Sequence, residues 1–265
     1  MTDRILPTAT AVLSVLAGIL LTVPVLAQAA LQYPQASRGD HVDHYFGIAV
    51  ADPYRALEDI DSRQTRAWVS AEAKLTSDYL AVLPHRAEIA RRLKTIWNFE
   101  RWSAPQRYGA SWFYTHNDGL QNQAVLFVTS EPTAKGRVLL DPNTFSRDGT
   151  VSLRSMAISA DGRLLAYALS EGGSDWQIWH VREVATGKDL PDTLRWSKAG
   201  DGSWLRDGTG FYYTLYDAPR AADVFKAANR YQTLYFHKLG TPQSQDVLAY
   251  TRSDDPDWFV NGTVS

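Results

Sequence analysis

The sequence predicts a mainly β fold: a partial β-propeller of about three four-stranded blades and the start of a fourth, preceded by an α-helical segment. Two observations carry that expectation. The first is a change of texture near residue 105, from helical periodicity to short aromatic and β-branched runs broken by Gly, Asp, Asn and Pro. The second is that these runs repeat. YGASWFYTHND (108–118), ADGRLLAYALSEGGSDW (160–176) and RDGTGFYYTLYD (206–217) each place a turn glycine ahead of an apolar-aromatic strand. Gly109, Gly162 and Gly208 lie 53 and 46 residues apart. Each repeat then runs through another strand, a Gly-bearing turn and a further strand, at 123–140, 178–190 and 233–250. About four strands in roughly 40–60 residues is the density of a propeller blade. An unrelated β-sandwich would match the density but not the recurring order.

In chain order, residues 1–29 read as a signal peptide. Arg4 precedes an uncharged apolar stretch, and Ala27-Gln28-Ala29 fits a small-x-small site with cleavage after Ala29. The stretch is long enough to serve as an uncleaved anchor, but Pro24 close to the site favours cleavage. The expected product is exported, periplasmic or secreted, and free of the membrane. Residues 30–104 form the helical segment. Ser62 is placed to cap a helix carrying Trp68, Ala71, Leu75 and Tyr79, and Pro84 suits the first turn of a second helix with Ile89, Leu93, Ile96 and Trp97 on one face. Residues 105–265 form the incomplete propeller. The final stretch, Asp257 to Ser265, begins like MAISADGRLLAYALS (156–170) and predicts the opening of the next blade.

Composition narrows the chemistry. A net charge of −2 and no Lys/Arg run argue against nucleic-acid or anionic-membrane binding. With no cysteine there is no disulfide, thiolate metal site or cysteine nucleophile. The 45% hydrophobic content of 265 residues suffices for a real core.

Several stretches resemble the prolyl oligopeptidase (prolyl endopeptidase) family of serine peptidases. VADPYRALEDIDSRQTRAWVSAEAKLTSDYL (50–80) is similar to the family's N-terminal segment, in which Asp-Pro-Tyr and Leu-Glu-Asp open the domain. NDGLQNQAVLFV (117–128), LLDPNTFSRDGTVSL (139–153), GSDW (173–176) and LYFHKLGTPQSQDVL (234–248) follow in the family's order, so the likeness runs from about Tyr33 to Ser265. Ala56 departs from it, standing where relatives place a tryptophan. The resemblance implies a propeller of seven blades joined to an α/β-hydrolase domain that cleaves short peptides after proline with a Ser-His-Asp triad. The propeller would restrict access to the active site, and the helical segment would pack on the hydrolase domain.

That chemistry is not visible in these residues. A nucleophile elbow needs glycines flanking its serine. Gly-Gly-Ser-Asp-Trp at 172–176 offers Gly172 and Ser174 but puts Trp176 in the second glycine's place, so Ser174 reads as a turn residue. Of the six histidines, only His41 and His44 are close, with Asp40 and Asp43 beside them; the segment looks extended and has no third histidine nearby, so a metal site is not expected. His180 and His237 fall in predicted strands and read as structural. Glu58-Asp59 and Asp254-Asp255 are paired carboxylates that read as solvated or capping groups. The glycines around 200–210 carry no phosphate-binding pattern. The family's propeller loops help line its substrate pocket, and the stretches before Trp204 and at Trp258-Phe259 occupy similar places; Ala199 is small where the family pattern puts an aromatic side chain. No catalytic, cofactor-binding or metal-binding residue is therefore assigned, and no cofactor is expected.

The resulting expectation is the N-terminal portion of an exported prolyl oligopeptidase-type endopeptidase. Alone it should be inactive, because the triad would lie beyond residue 265. Its partners would be short proline-containing peptides and the missing hydrolase domain, supplied in cis or in trans. The alternatives are a non-catalytic peptide-binding or self-assembling propeller module, or one half of a split peptidase. Three blades alone would leave open sheet edges and bare inter-blade faces.

Overall fold

A computed structural model of the chain describes residues 31–220, 224 and 228–265; the expected leader lies outside them. The chain divides into two compact units, one ending at Arg86 and one running from Ala87 to Ser265.

The first unit opens on a hairpin of β1 (Val42–Tyr45) and β2 (Ile48–Ala51). Its two-residue turn, Phe46-Gly47, has φ positive at both positions, which matches the right-handed twist of the flanking strands. Helix α1 (Arg63–Ala81) begins where predicted: the Ser62 hydroxyl accepts the Thr65 N–H at 3.1 Å, satisfying one of the first turn's free donors. Between hairpin and helix, Arg55 is surrounded by the carboxylates of Asp43, Asp52 and Glu58.

Helix α2 (Arg86–Trp97) starts later than the sequence suggests. His85 takes a left-handed conformation (φ 62°), which cannot continue a helix, so Pro84 lies in the preceding turn and not in the first helical turn. Ile89, Leu93, Ile96 and Trp97 are each 49–59% exposed. Among the described residues, no helix is long and apolar enough to cross a membrane.

The remainder is three consecutive antiparallel blades. In the first, β3 (Arg101–Trp102) and β4 (Gln106–Tyr108) both pair with β5 (Ser111–Asn117), followed outward by β6 (Val125–Thr129) and β7 (Arg137–Leu140). The inner strand is interrupted where Pro105 has no N–H to give the ladder. Ser103 bridges the gap, its N–H donating to the Thr115 carbonyl and its hydroxyl accepting the Thr115 N–H. The second blade is β8 (Val151–Ile158), β9 (Leu164–Glu171), β10 (Gln177–Glu183) and β11 (Asp189–Ser197). The third is β12 (Ser203–Trp204), β13 (Gly210–Leu215), β14 (Thr233–Lys238) and β15 (Val247–Tyr250).

The repeat is exact at the first hairpin: Gln106 pairs with Phe113, Ile158 with Leu165 and Trp204 with Phe211, each pair seven residues apart. Strand alternation then sends neighbouring side chains to opposite blade junctions. Leu165 and Tyr167 pack toward the first blade with Phe113, Leu126, Val128 and Leu140. Ala166 and Ala168, from the same strand, pack toward the third blade with Trp179, Trp204, Phe211 and Tyr213. The two alanines leave room for the Trp179 indole, which is 1% exposed.

Residues 257–265, expected to open the next blade, carry no strand. They run along the third blade instead, the Val260 N–H donating to Gln232 Oε1 and the Val264 N–H to Ser203 Oγ.

Candidate functional site

At one end of the second blade, the β9–β10 turn and the end of β11 frame a cleft of about 240 Å3. Its walls include Ile178, Trp176, Trp196, His180, Arg195 and Glu171. The two indoles meet edge to face at a centroid distance of 5.4 Å. Each is held: Trp176 Nε1 donates to the Val224 carbonyl at 2.7 Å, and the Trp196 carbonyl accepts the Tyr216 N–H at 2.9 Å. Trp196 sits at φ 64°, an uncommon conformation for a bulky residue and a sign that its surroundings fix it. Lys198 Nζ lies 4.0 Å from the centre of the Trp176 ring, and burial, partly opposed by the charge of Asp175, pulls its pKa down. Burial likewise depresses the His180 imidazole, beyond what Asp189 restores. The cleft thus joins aromatic faces to a cation, a carboxylate and a neutral-leaning imidazole. Such a surface suits a peptide, whose apolar side chains and amides need both.

Ser174 lines this cleft without the company of a nucleophile. Its hydroxyl accepts the Trp176 N–H at 3.1 Å, its own N–H donates to the Glu171 carbonyl, and its carbonyl accepts from the Ser170 hydroxyl. Among the described residues no hydrogen bond joins it to a histidine, and the stretch that follows is strand β10, not the helix of an elbow. His41 Nε2 lies 3.1 Å from Asp43 Oδ1, while His44 is exposed on β1. Among the described residues no three His, Asp or Glu side chains are grouped as metal ligands. Glu58 pairs with Arg55, and Asp59 accepts the Asp61 N–H. Asp254 takes both arms of Arg252, whose guanidinium also lies 3.6 Å from the Trp258 ring centre. Trp258 and Phe259 are 52% and 68% exposed. Ala199 gives its carbonyl to Thr214 and Gln232.

A second constellation escaped the sequence reading. His237 of β14 is fully buried between Asp246 (Nδ1 to Oδ1, 2.7 Å) and Asp192 of β11 (Nε2 to Oδ1, 3.0 Å). Tyr213 donates its hydroxyl to Asp246 at 2.7 Å, and burial together with that carboxylate pushes its phenol well above the usual range. The only trace in the sequence is a histidine at the inward-facing parity of a strand.

A family profile described as "Prolyl oligopeptidase, N-terminal beta-propeller domain" matches residues 34–265. The chain belongs to the prolyl oligopeptidase family. Within the family, it is 43% identical to a prolyl endopeptidase of Elizabethkingia meningoseptica over 235 residues, which are 89% of this chain and 33% of that protein. Among solved structures of prolyl oligopeptidases, it matches prolyl oligopeptidase B from Galerina marginata bound to a 25mer macrocyclization substrate. The TM-score there is 0.70 at 29% identity, covering 88% of this chain and 35% of that one. A prolyl endopeptidase solved in a study of inter-domain dynamics in catalysis and specificity matches with a TM-score of 0.57 at 40% identity, over 88% and 33%. The chain therefore spans about a third of the length of the relatives it matches, and that third is the N-terminal propeller part of a prolyl oligopeptidase.

Proposed function

We infer that this chain is the propeller-bearing portion of an exported serine endopeptidase that cleaves short peptides after proline, and that it does not hydrolyse peptides by itself. The observation that carries the reading is the family match over residues 34–265, on a chain that spans a third of its relatives. In the whole enzyme a hydrolase domain would supply the serine, the histidine that acts as base and then acid, and the aspartate that orients it. The propeller would admit short peptides and exclude folded chains. The Trp176–Trp196 cleft would meet the peptide, and the bare apolar stripe of α2 would be covered by the hydrolase domain. Arg4, the uncharged run that follows it and Ala27-Gln28-Ala29 support export with a mature start at Ala30. N-terminal sequencing of the mature protein tests that start.

The functional test compares this chain with the full-length protein on a chromogenic Gly-Pro anilide. Turnover by the full-length protein and none by residues 30–265 is the expected result. Ser174→Ala should leave the full-length kcat unchanged, because the Ser174 hydroxyl is committed to its own turn, whatever the loss of a cleft-lining side chain does to KM. Hydrolysis by residues 30–265 that is abolished by Ser174→Ala would overturn the assignment.

A further inference from the structure

The blade repeat puts an arginine and a histidine at one structural position. Leu165 and Phe211 are equivalent first-hairpin residues, and their partners on the third strand are Arg182 and His237. Both reach in two directions. Arg182 binds Asp189 of its own blade through two bonds (2.7 and 2.9 Å) and donates to the Leu139 carbonyl on the outer strand of the preceding blade. His237 faces Asp246 of its own blade and Asp192 on the outer strand of the preceding blade. In the first blade the same position is Val128, which pairs with Phe113 and reaches for nothing polar. The first junction is therefore closed by a guanidinium that stays charged at any ordinary pH, and the second by an imidazole that does not.

Hydrogen-bond accounting fixes the state in which the second junction is closed. Asp192 Oδ1 also accepts the Gly240 N–H at 2.6 Å, and Asp246 Oδ2 accepts the Tyr213 hydroxyl, itself an acceptor for Gln243 Nε2 at 3.0 Å. Phe211 covers the imidazole edge to face, at a centroid distance of 5.8 Å. The ring thus meets Asp192 of β11 and Asp246 of the turn before β15, while the Gly240 N–H and the Tyr213 hydroxyl of β13 donate to those two carboxylates. The His237, Asp192 and Asp246 side chains are 0%, 1% and 2% exposed, so water cannot replace a missing donor. Each ring nitrogen points at a carboxylate oxygen, and only a doubly protonated ring donates to both. A neutral ring would turn one lone pair toward a buried carboxylate. Asp192 Oδ2 is already without a partner.

We propose that Asp192, His237 and Asp246 form a proton-operated latch that ties the third blade to the second and loosens as His237 loses its proton, while the Arg182 junction stays closed. Burial alone would depress the imidazole pKa, but hydrogen bonds and charges from Asp246 and Asp192 outweigh it and the net direction is upward. The sign follows from linkage. The latch contributes fully below the free imidazole value of about 6.5 and is lost as pH rises through the folded value. Between those two values, opening the junction releases up to one proton, so its opening constant climbs with pH by at most about tenfold per unit.

The test is hydrogen exchange by mass spectrometry on the full-length protein from about pH 6 to about pH 9, corrected for intrinsic exchange rates. Peptides covering 189–197 and 233–250 report the latch; those covering 137–140 and 177–183 report the Arg182 junction. Opening that rises with pH at the first pair but not the second is expected, and His237→Gln should abolish the rise. Nuclear magnetic resonance of the wild-type His237 ring gives an independent reading even where that variant does not fold, with a folded midpoint above about 6.5 expected. Equal pH dependence at the two junctions, a rise that persists in His237→Gln, or a midpoint below the free value would each overturn the latch.

Discussion

Gly162 and Gly187 have nearly the same backbone and opposite surroundings, so one substitution can separate two costs. Their φ values are 72° and 70°. At Gly187, in the turn between β10 and β11, a Cβ would meet nothing within 4 Å. At Gly162, between β8 and β9, it would stand 2.4 Å from the Tyr108 carbonyl oxygen and 3.1 Å from its carbon. The contact is reciprocal, since a Cβ on Gly109 would stand 2.1 Å from the Asp161 carbonyl oxygen. The first two blades thus meet backbone to backbone at their turns. Alanine at either site incurs the left-handed penalty of about 1–2 kcal/mol, partly offset by about 0.4–1 kcal/mol from a less flexible unfolded chain. At Gly162 the Tyr108 backbone must also move, which by analogy with overpacked cores costs about 1–3 kcal/mol more. Gly187→Ala should therefore cost about 1 kcal/mol and Gly162→Ala about 2–4 kcal/mol. Urea unfolding followed by tryptophan fluorescence measures both, as midpoint shifts at constant slope. Equal losses at the two sites would refute the claim that the blades touch through these turns.

Further outcomes concern the phenol of Tyr167 and the cleft. Burial, with help from the Asp189 charge, raises the Tyr167 pKa to about 12, so ultraviolet titration should show its tyrosinate appearing after those of the exposed tyrosines. Because the folded value is raised, the stabilisation is complete below about pH 10 and fades as pH climbs toward 12, amounting to roughly 2–3 kcal/mol. On the proposed function, Trp176→Ala in the full-length protein should raise KM for proline-containing peptides roughly tenfold, or about 1.4 kcal/mol, with kcat unchanged. An unchanged KM would remove the cleft from peptide contact.

Much of the molecule was legible in the sequence because local rules dominate it. Ser62 marks the start of α1 since a cap is satisfied within four residues of chain, and the glycine-strand repeats reveal blades since each blade is built mostly from its own hairpins. The start of α2 was missed at a local detail, the left-handed His85. At 257–265 no strand forms, because strand pairing is decided by tertiary context more than by local pattern; the Val260 and Val264 N–H groups there donate to the Gln232 and Ser203 side chains.

The sequence by itself determined the family, the blade order and the turn role of Ser174, through motifs and periodicities read within short windows. Only the tertiary structure decided which side chains meet across blades. Asp192 lies 45 residues from His237 and Asp246 nine, and all three are unremarkable one by one. Folding makes them a single buried network, because strand register and the packing of one blade on the next converge at their positions. The cleft has the same origin. Trp176 and Trp196 belong to a turn and an outer strand, and only β10–β11 pairing and the Val224 carbonyl bring their rings together.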